Sequence, residues 1–371
     1  FFPIYLQEQL RLTPLSISTV IAGAQVAGML TALLGGAVAA RLGSKGVLIS
    51  GMILSLLGSL AFQVHLLWLV ALLWFCGGAG LALVSVGGAS YMTRIGVRGG
   101  LGILAAFYAL STTIGGALGN PLAGVLIERG GYSVFSWAVI AISTGTILIL
   151  SLLMQNLHDP SEAQVSLRSS GAGMLSTANQ PNVRRIIALR SLPTLFYGML
   201  TVLIPLLLNN LSGSKVLVAA YGTTNLVVAS AAQLIAGRAA DRWGARRPSL
   251  VAYSGIIIAG LGLSLTATTE WGLFAFGVLG IAAAWSLSTL MYIWVSDGVE
   301  KAEQPSTFGL LHAVWSLSMI SGSVLGGWFV ATLPGLPFLL AGLLNIAALF
   351  LILAYYKRGS VRQAAQSGII D

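Results

Sequence analysis

Charged residues are scarce in this sequence of 371 residues, and that scarcity decides its class. Aspartate, glutamate, lysine and arginine together make up 8% of the chain, while 56% of it is hydrophobic. A soluble domain carries about a quarter charged residues, so this chain cannot cover itself with a surface that water wets. The composition predicts an all-α polytopic membrane protein and excludes a soluble enzyme.

Cysteine and catalytic motifs are lacking as well. The single cysteine, Cys76, lies in an apolar run, so no disulfide or cysteine-based metal site can form within one chain. No HExxH motif, P-loop or dinucleotide fingerprint occurs. Nucleophilic catalysis needs a base beside the nucleophile, yet His65 and His158 lie in predicted loops. We therefore expect no enzyme activity, no metal and no cofactor.

The formal net charge of +9 raises the question of a nucleic-acid partner. The basic residues, however, stand in short clusters between apolar runs, which is the pattern that orients a membrane protein. We therefore expect the lipid bilayer, and no nucleic acid, as the partner of these charges.

Runs long enough to cross a bilayer, which takes roughly 20 mainly apolar residues, recur along the chain. A polar segment at 156–182 separates them into two groups, and the apolar stretch 1–6 is expected to be the outer end of a further span that lies mostly before Phe1. The predicted spans are 17–40, 46–65, 67–92, 99–127, 133–155, 183–211, 215–240, 248–267, 271–296, 306–332 and 335–356.

The basic residues fix the orientation of these spans. Of the 19 lysines and arginines, only Arg11, Arg129 and Lys215 fall on one side of the predicted topology. The remaining sixteen, to which we assign Arg190, fall on the other side. Loops rich in lysine and arginine stay in the cytoplasm, so the central loop and the C-terminus are predicted to be cytoplasmic.

The two groups of spans are related by an internal repeat. A shift of 201 residues overlays GAVAARLGSK (36–45) on GRAADRWGAR (237–246), and a shift of 207 residues overlays matching Gly, Leu and Ser positions of 102–119 on 309–326. Two copies in the same orientation indicate parallel repeats about an axis along the membrane normal. The predicted domains are an N-terminal helical bundle 1–155, a cytoplasmic linker 156–182, a C-terminal helical bundle 183–358 and a cytoplasmic tail 359–371.

These motifs resemble those of the major facilitator superfamily. GRAADRWGARR (237–247) is similar to the family's loop motif, with a Gly, then Asp-Arg, then Gly, then paired cations, although the first copy has Ala40 where the family has Asp. GGALGNPLAG (115–124) resembles the fifth-span motif, with Asn120 at a position often held by Gly. The resemblance covers the whole chain and implies transport of small molecules by rocking of two six-helix bundles.

The resemblance also implies a cytoplasmic gate. Asp241 is expected to face the helix end near Gly99, and Arg242 and Arg246 to pair with Asp297 or Glu300. The alternative is that these charges only orient the chain. The residues assigned to the motif and gate are Gly36, Arg41, Gly43, Lys45, Gly237, Asp241, Arg242, Gly244, Arg246, Arg247 and Asp297.

A substrate cavity is expected near the middle of the membrane, where polar side chains are costly and tend to be functional. All ten acidic residues fall at span ends or in loops, which leaves His312 as the one ionisable side chain assigned to a span interior. It either binds substrate or a proton, or is hydrogen-bonded between helices. The candidate lining is Gln25, Tyr108, Thr112, Tyr197, Asn225, Trp285, Thr289, Tyr292, His312 and Trp315.

Sparse charge at depth favours an exporter of amphipathic or drug-like compounds over a carrier of highly charged ones. Proton-coupled exporters of the family often have an arginine where this chain has Trp74, so a coupling proton stays open. The alternatives are an importer of sugars or other small metabolites, a non-transporting sensor or scaffold, and an intramembrane acyltransferase or protease built on His312. We expect a monomer in the plasma membrane, the inner membrane of a bacterium.

Overall fold

The computed structural model describes residues 1–99, 101–155, 178–300 and 304–366, and the regular elements in these ranges are helical. The helices are α1 Phe2–Leu10, α2 Pro14–Leu60, α3 Leu67–Gly99, α4 Leu101–Leu153, α5 Pro181–Ser212, α6 Lys215–Trp243, α7 Arg246–Thr266, α8 Glu270–Gly298, α9 Gln304–Phe329 and α10 Leu336–Gln366, with a 3₁₀ turn at Ala61–Gln63.

The predicted membrane spans are confirmed. Within the described ranges, ten segments are long and apolar enough to cross a membrane. One of them, Thr113–Leu153, has 41 residues and is broken at Gly131, where φ is 75°, so it accounts for two of the predicted spans. Helices satisfy their backbone hydrogen bonds internally, as lipid requires. The chain is an integral membrane protein.

Two glycine turns repeat at the interval that the sequence predicts. Gly43 (φ 70°) lies inside α2, and Gly244 (φ 73°) separates α6 from α7. The two glycines are 201 residues apart, the shift that overlays the sequence copies. Only glycine adopts positive φ without a steric penalty. The predicted spans 17–40 and 46–65 are therefore two helices within α2 that meet at a turn made by Gly43.

The chain divides into two units by its contacts. The first unit comprises residues 1–170 with 212–223, and the second comprises 171–211 with 224–371. The first unit thus includes the beginning of α6, which the predicted domain division assigns to the C-terminal bundle. The predicted bundle boundaries stay a prediction.

Glycine allows close helix packing inside each unit. In the first unit, a Cβ added to Gly58 of α2 would lie 2.9 Å from the Cα of Gly77 in α3. In the second unit, a Cβ added to Gly260 of α7 would lie 2.7 Å from the Cα of Gly342 in α10. Backbones that approach this closely gain van der Waals contact where lipid offers no hydrophobic driving force.

An aromatic cluster fills the first unit where α1, the 3₁₀ turn, α3 and the second half of α4 meet. Phe2 stacks on Trp74 with ring centroids 3.5 Å apart, and Phe62 meets Tyr5 at 5.1 Å and Phe135 at 5.2 Å. The Tyr5 hydroxyl donates to the carbonyl oxygen of Val64 over 2.6 Å. The cluster therefore packs ring on ring, and the Tyr5 hydroxyl within it is bonded.

Ionic and polar contacts join the beginning of α6 to the rest of the first unit. Lys215 forms an ion pair with Glu8 of α1, and the Tyr132 hydroxyl donates to Oε2 of Glu8 over 2.8 Å. The backbone N–H of Val216 donates to Oε2 of Glu128 over 3.2 Å. These charges lie on the side predicted to be extracellular. A carboxylate beside the N-terminus of α6 also interacts favourably with the positive end of the helix dipole.

Candidate functional site

A cavity of about 240 Å³ lies among four helices of the second unit. Helix α5 contributes residues spaced by three and four positions, so they share one helical face. Helices α6, α8 and α9 complete the walls. The lining residues are Arg190, Pro193, Thr194, Tyr197, Gln233, Ala284, Trp285, Ser288, His312 and Trp315.

Four of the residues predicted to line a cavity are brought together here. Tyr197 and Trp285 meet edge to face, with ring centroids 6.4 Å apart and planes at 73°. His312 stacks on Trp315 with centroids 5.7 Å apart and planes at 21°. Offset and edge-to-face arrangements of this kind are energetically favourable.

The other predicted cavity residues lie elsewhere or are not described. Tyr292 is 60% exposed, and its ring lies 5.3 Å from that of Phe308. Asn225 and Thr289 do not line the cavity, and Gln25 belongs to the first unit. The side chains of Tyr108 and Thr112 lie outside the described residues.

Arg190 is a cavity residue that the sequence prediction does not include. The sequence expectation takes His312 as the one ionisable side chain inside a span, whereas Arg190 lies within α5 and lines the same cavity as His312. The Thr194 hydroxyl donates to the Arg190 carbonyl oxygen over 2.7 Å, within continuous helix. Gln233, Ser288 and Thr194 are further polar lining residues that the sequence analysis missed.

The first copy of the loop motif is only partly described. The side chain of Arg41 and the surroundings of Gly36 lie outside the described residues. Gly43 makes the turn, and Nζ of Lys45 donates to the carbonyl oxygen of Ser151 over 2.7 Å. The Lys45 ammonium thus provides a hydrogen-bond donor for a carbonyl oxygen in the last turn of α4, which has no partner within the helix. Its positive charge also interacts favourably with the negative end of the helix dipole.

The second copy of the motif is exposed. Gly237 faces Thr289 of α8, and the Arg242 guanidinium lies 5.6 Å from the centroid of the Trp243 ring. The side chains of Asp241, Arg242, Arg246, Arg247 and Asp297 are all exposed.

The predicted ion pairs of this gate are not formed in the structure. Among the described residues, neither Arg242 nor Arg246 is paired with Asp297 or Glu300. The surroundings of Gly99, which Asp241 is expected to face, lie outside the described residues. The cytoplasmic gate stays a prediction.

The part of the chain that the structure describes contains no candidate metal site. No group of three His, Cys, Asp or Glu side chains there is placed to hold a metal ion. What the cavity offers is aromatic surface, hydrogen-bonding amide and hydroxyl groups and one guanidinium. Such a lining binds and orients a small molecule.

The family model for the Major Facilitator Superfamily matches residues 1–299 and 186–371, which together span the chain. The chain belongs to the Major Facilitator Superfamily. The resemblance carried by the loop motif and the repeat is thereby confirmed, and the protein is a membrane transporter of this superfamily. Enzymes are not characteristic of the superfamily.

Two tetracycline resistance proteins are similar to part of this chain. The class B tetracycline resistance protein of Escherichia coli is 25% identical over 167 residues, 43% of this chain and 40% of that protein. The class C protein of Escherichia coli is 32% identical over 155 residues, 40% of this chain and 38% of that protein. The match thus spans about two fifths of the length of each relative.

Solved structures confirm the all-α major facilitator fold. A point mutant of the nucleoside transporter NupG superposes with a TM-score of 0.82 at 14% identity, covering 95% of this chain and 94% of that one. The nucleoside transporter NupG itself gives a TM-score of 0.77 at 15% identity, covering 95% and 93%. At this identity the likeness concerns the fold alone.

Proposed function

We propose that this superfamily member is a secondary transporter that exports amphipathic aromatic compounds. The observation that carries the proposal is the cavity of the second unit, where Tyr197, Trp285 and Trp315 present ring surfaces beside a few polar groups. Sites of this composition bind partly apolar ligands through stacking and a small number of hydrogen bonds. The volume of about 240 Å³ is slightly below the 300–1,000 Å³ common for drug-sized ligands, so we expect it to hold one ring system.

The direction of transport is proposed from the relatives. Both curated relatives are named for resistance to tetracycline, and a membrane transporter confers resistance when it lowers the concentration of the compound inside the cell. The likeness to NupG concerns the fold alone and favours no nucleoside substrate. Export is therefore the direction that the relatives support.

The proposed mechanism is alternating access by an N-terminal bundle (1–155) and a C-terminal bundle (183–358) joined by the linker 156–182. The contacts of Glu8 and Glu128 with the beginning of α6 are the ones that we expect to break and re-form in the cycle. The ion pair of Glu8 and the hydrogen bond of Glu128 are partly exposed and together contribute only about 1–2 kcal/mol, an amount that binding of a substrate or a coupling ion can offset.

The proposed location is the plasma membrane, and the inner membrane of a bacterium in view of the Escherichia coli relatives. We propose that the protein works as a monomer without a cofactor. Because Arg190 rather than an acid lies in the cavity, a coupling proton, if one is used, has His312 as its candidate carrier within the described lining.

Everted membrane vesicles test the proposal. Vesicles that contain the protein are energised, and accumulation of fluorescent aromatic amphiphiles of positive, zero and negative charge is compared with vesicles that lack it. We expect accumulation of at least one aromatic amphiphile and no exchange of phosphorylated sugars. Uptake of sugars or nucleosides by right-side-out vesicles alone would establish an importer, and the absence of transport for every compound would favour a sensor or scaffold.

A further inference from the structure

Arg190 is a cation inside the second unit whose Nε lacks a partner. It lies within α5, and its Nε is buried and has no hydrogen-bond partner in the structure. The cavity lining contributes no acidic side chain that could neutralise it. An uncompensated charge in a membrane protein is costly and tends to be retained for a function.

The phenol groups near Arg190 do not supply the missing partner. The Tyr253 hydroxyl donates to the Leu189 carbonyl oxygen over 2.7 Å, and Tyr292 is 60% exposed with its ring against Phe308. The polar groups that share the cavity with Arg190 include the Gln233 amide, the Ser288 hydroxyl and the His312 imidazole. None of these carries a negative charge, so the anion must come from outside the described lining.

The aromatic residues of the cavity limit the shape of a ligand whose negative group could pair with Arg190. The rings of Tyr197 and Trp285 meet at 73° on one pair of helices, and His312 and Trp315 form a nearly parallel pair on α9. A cavity of about 240 Å³ holds a fused two-ring system with one small substituent better than a larger drug-like molecule.

We propose that the cavity selects flat aromatic compounds that carry one carboxylate, with Arg190 as the carboxylate-binding residue. The inference rests on the proposed function, because it names the substrate class of the same cavity. A guanidinium binds a carboxylate by charge-assisted, often bidentate hydrogen bonds, which lysine reproduces only in part. A substrate with a single negative charge is compatible with the sequence expectation, which disfavours only highly charged compounds.

Calorimetric titration of the purified protein in a neutral detergent tests this substrate class. The probes are 2-naphthoate, 2-naphthamide and 2-naphthylmethylammonium, which share one ring system and differ in charge. We expect 2-naphthoate to bind about tenfold or more tightly than 2-naphthamide, since a charge-assisted hydrogen bond distinguishes them, and the ammonium to bind most weakly. Equal binding of the three probes, or tightest binding of the ammonium, overturns the inference without any variant.

Variants then assign the preference to Arg190. Arg190→Gln is expected to weaken 2-naphthoate by about tenfold and to leave 2-naphthamide nearly unchanged, which also shows that the variant is folded. Arg190→Lys should retain part of the preference. The matched control is Arg184→Gln on the same helix, since Arg184 is exposed and donates to the Asn179 carbonyl oxygen. An unchanged ratio of naphthoate to naphthamide binding in Arg190→Gln overturns the assignment.

The two proposals can fail separately. Vesicles that export neutral or cationic amphiphiles from a protein without naphthoate preference would support the proposed function and overturn the inference. Right-side-out vesicles that import 2-naphthoate in an Arg190-dependent manner would support the inference and overturn export.

Discussion

In the first unit Phe2 stacks on Trp74 at 3.5 Å, whereas in the second unit Tyr197 and Trp285 stand 6.4 Å apart beside a cavity. The two units also differ in whether their buried polar atoms have hydrogen-bond partners. The Tyr5 hydroxyl is bonded to a carbonyl oxygen, while Nε of Arg190 is buried without a partner. Similar aromatic residues thus pack against one another in one unit and line a cavity in the other.

The largest expected effect is on stability and concerns the packed cluster. Phe62 is 8% exposed and meets Phe2, Tyr5 and Phe135, so Phe62→Ala leaves a cavity and should lower the free energy of unfolding by about 3–5 kcal/mol. Thermal unfolding of the purified protein measures it. Trp137→Ala is the control, because Trp137 is 60% exposed and should face lipid. Equal melting temperatures for Phe62→Ala and wild type would contradict the structural role of the cluster.

The next effect concerns the ionic contacts of the first unit. Glu8→Gln removes the negative partner of Lys215 and weakens the acceptor for the Tyr132 hydroxyl. Because the Glu8 side chain is 34% exposed, we expect a loss of only about 1–2 kcal/mol in unfolding free energy. A change in transport rate should accompany it, measured in vesicles.

Glu270→Gln provides the control for this pair, since Glu270 lies at the start of α8 and has no ion-pair partner among the described residues. If Glu8→Gln leaves both the melting temperature and the transport rate as in the control, the contacts of Glu8 have no part in the transport cycle.

Removal of an aromatic wall should affect transport more than stability. Trp285→Ala deletes the ring that meets Tyr197 in the cavity, and we expect KM to rise about tenfold, equivalent to about 1.4 kcal/mol of lost stacking. Trp271→Ala is the matched control, because Trp271 lies near the start of α8 and is 74% exposed. The same KM for both variants would argue against the cavity as the binding site.

The smallest expected effect belongs to His312. Its ring stacks on Trp315, and glutamine keeps a polar group of similar length, so His312→Gln should raise KM by about two- to threefold. Initial transport rates at several substrate concentrations measure this change. A complete loss of energised transport with substrate binding intact would instead identify His312 as the carrier of a coupling proton.

The membrane spans could be predicted from the sequence because lipid leaves the backbone few choices. Apolar runs of sufficient length must be helical, and the glycine positions of the repeat predicted the turns at Gly43 and Gly244, which the structure shows with nearly equal φ values. The predicted breaks at 40–46 and 127–133 are turns in the structure as well, since Gly43 and Gly131 leave the helical conformation inside α2 and α4.

The cavity could be predicted only in part because hydropathy does not fix the rotation of a helix about its axis. The sequence groups Arg190 with the basic residues Arg184 and Arg185, and only its spacing to Thr194 and Tyr197, which fits one helical face, connects it with the cavity. Tyr292 shares a face of α8 with Trp285 and Ser288 but lies beyond the cavity, against Phe308.

Occupation of the second unit's cavity by substrate can be measured directly by cysteine labelling. Cys76 is the single cysteine, so Cys76→Ser provides a background in which Ser288→Cys places one thiol in the cavity lining and Thr268→Cys places one in an exposed turn. The measurement is the rate of N-ethylmaleimide labelling with and without the amphiphile that everted vesicles accumulate fastest. We expect slower labelling at Ser288→Cys alone, because bound substrate shields that thiol. Equal rates at Ser288→Cys with and without the compound would show that substrate does not occupy the cavity.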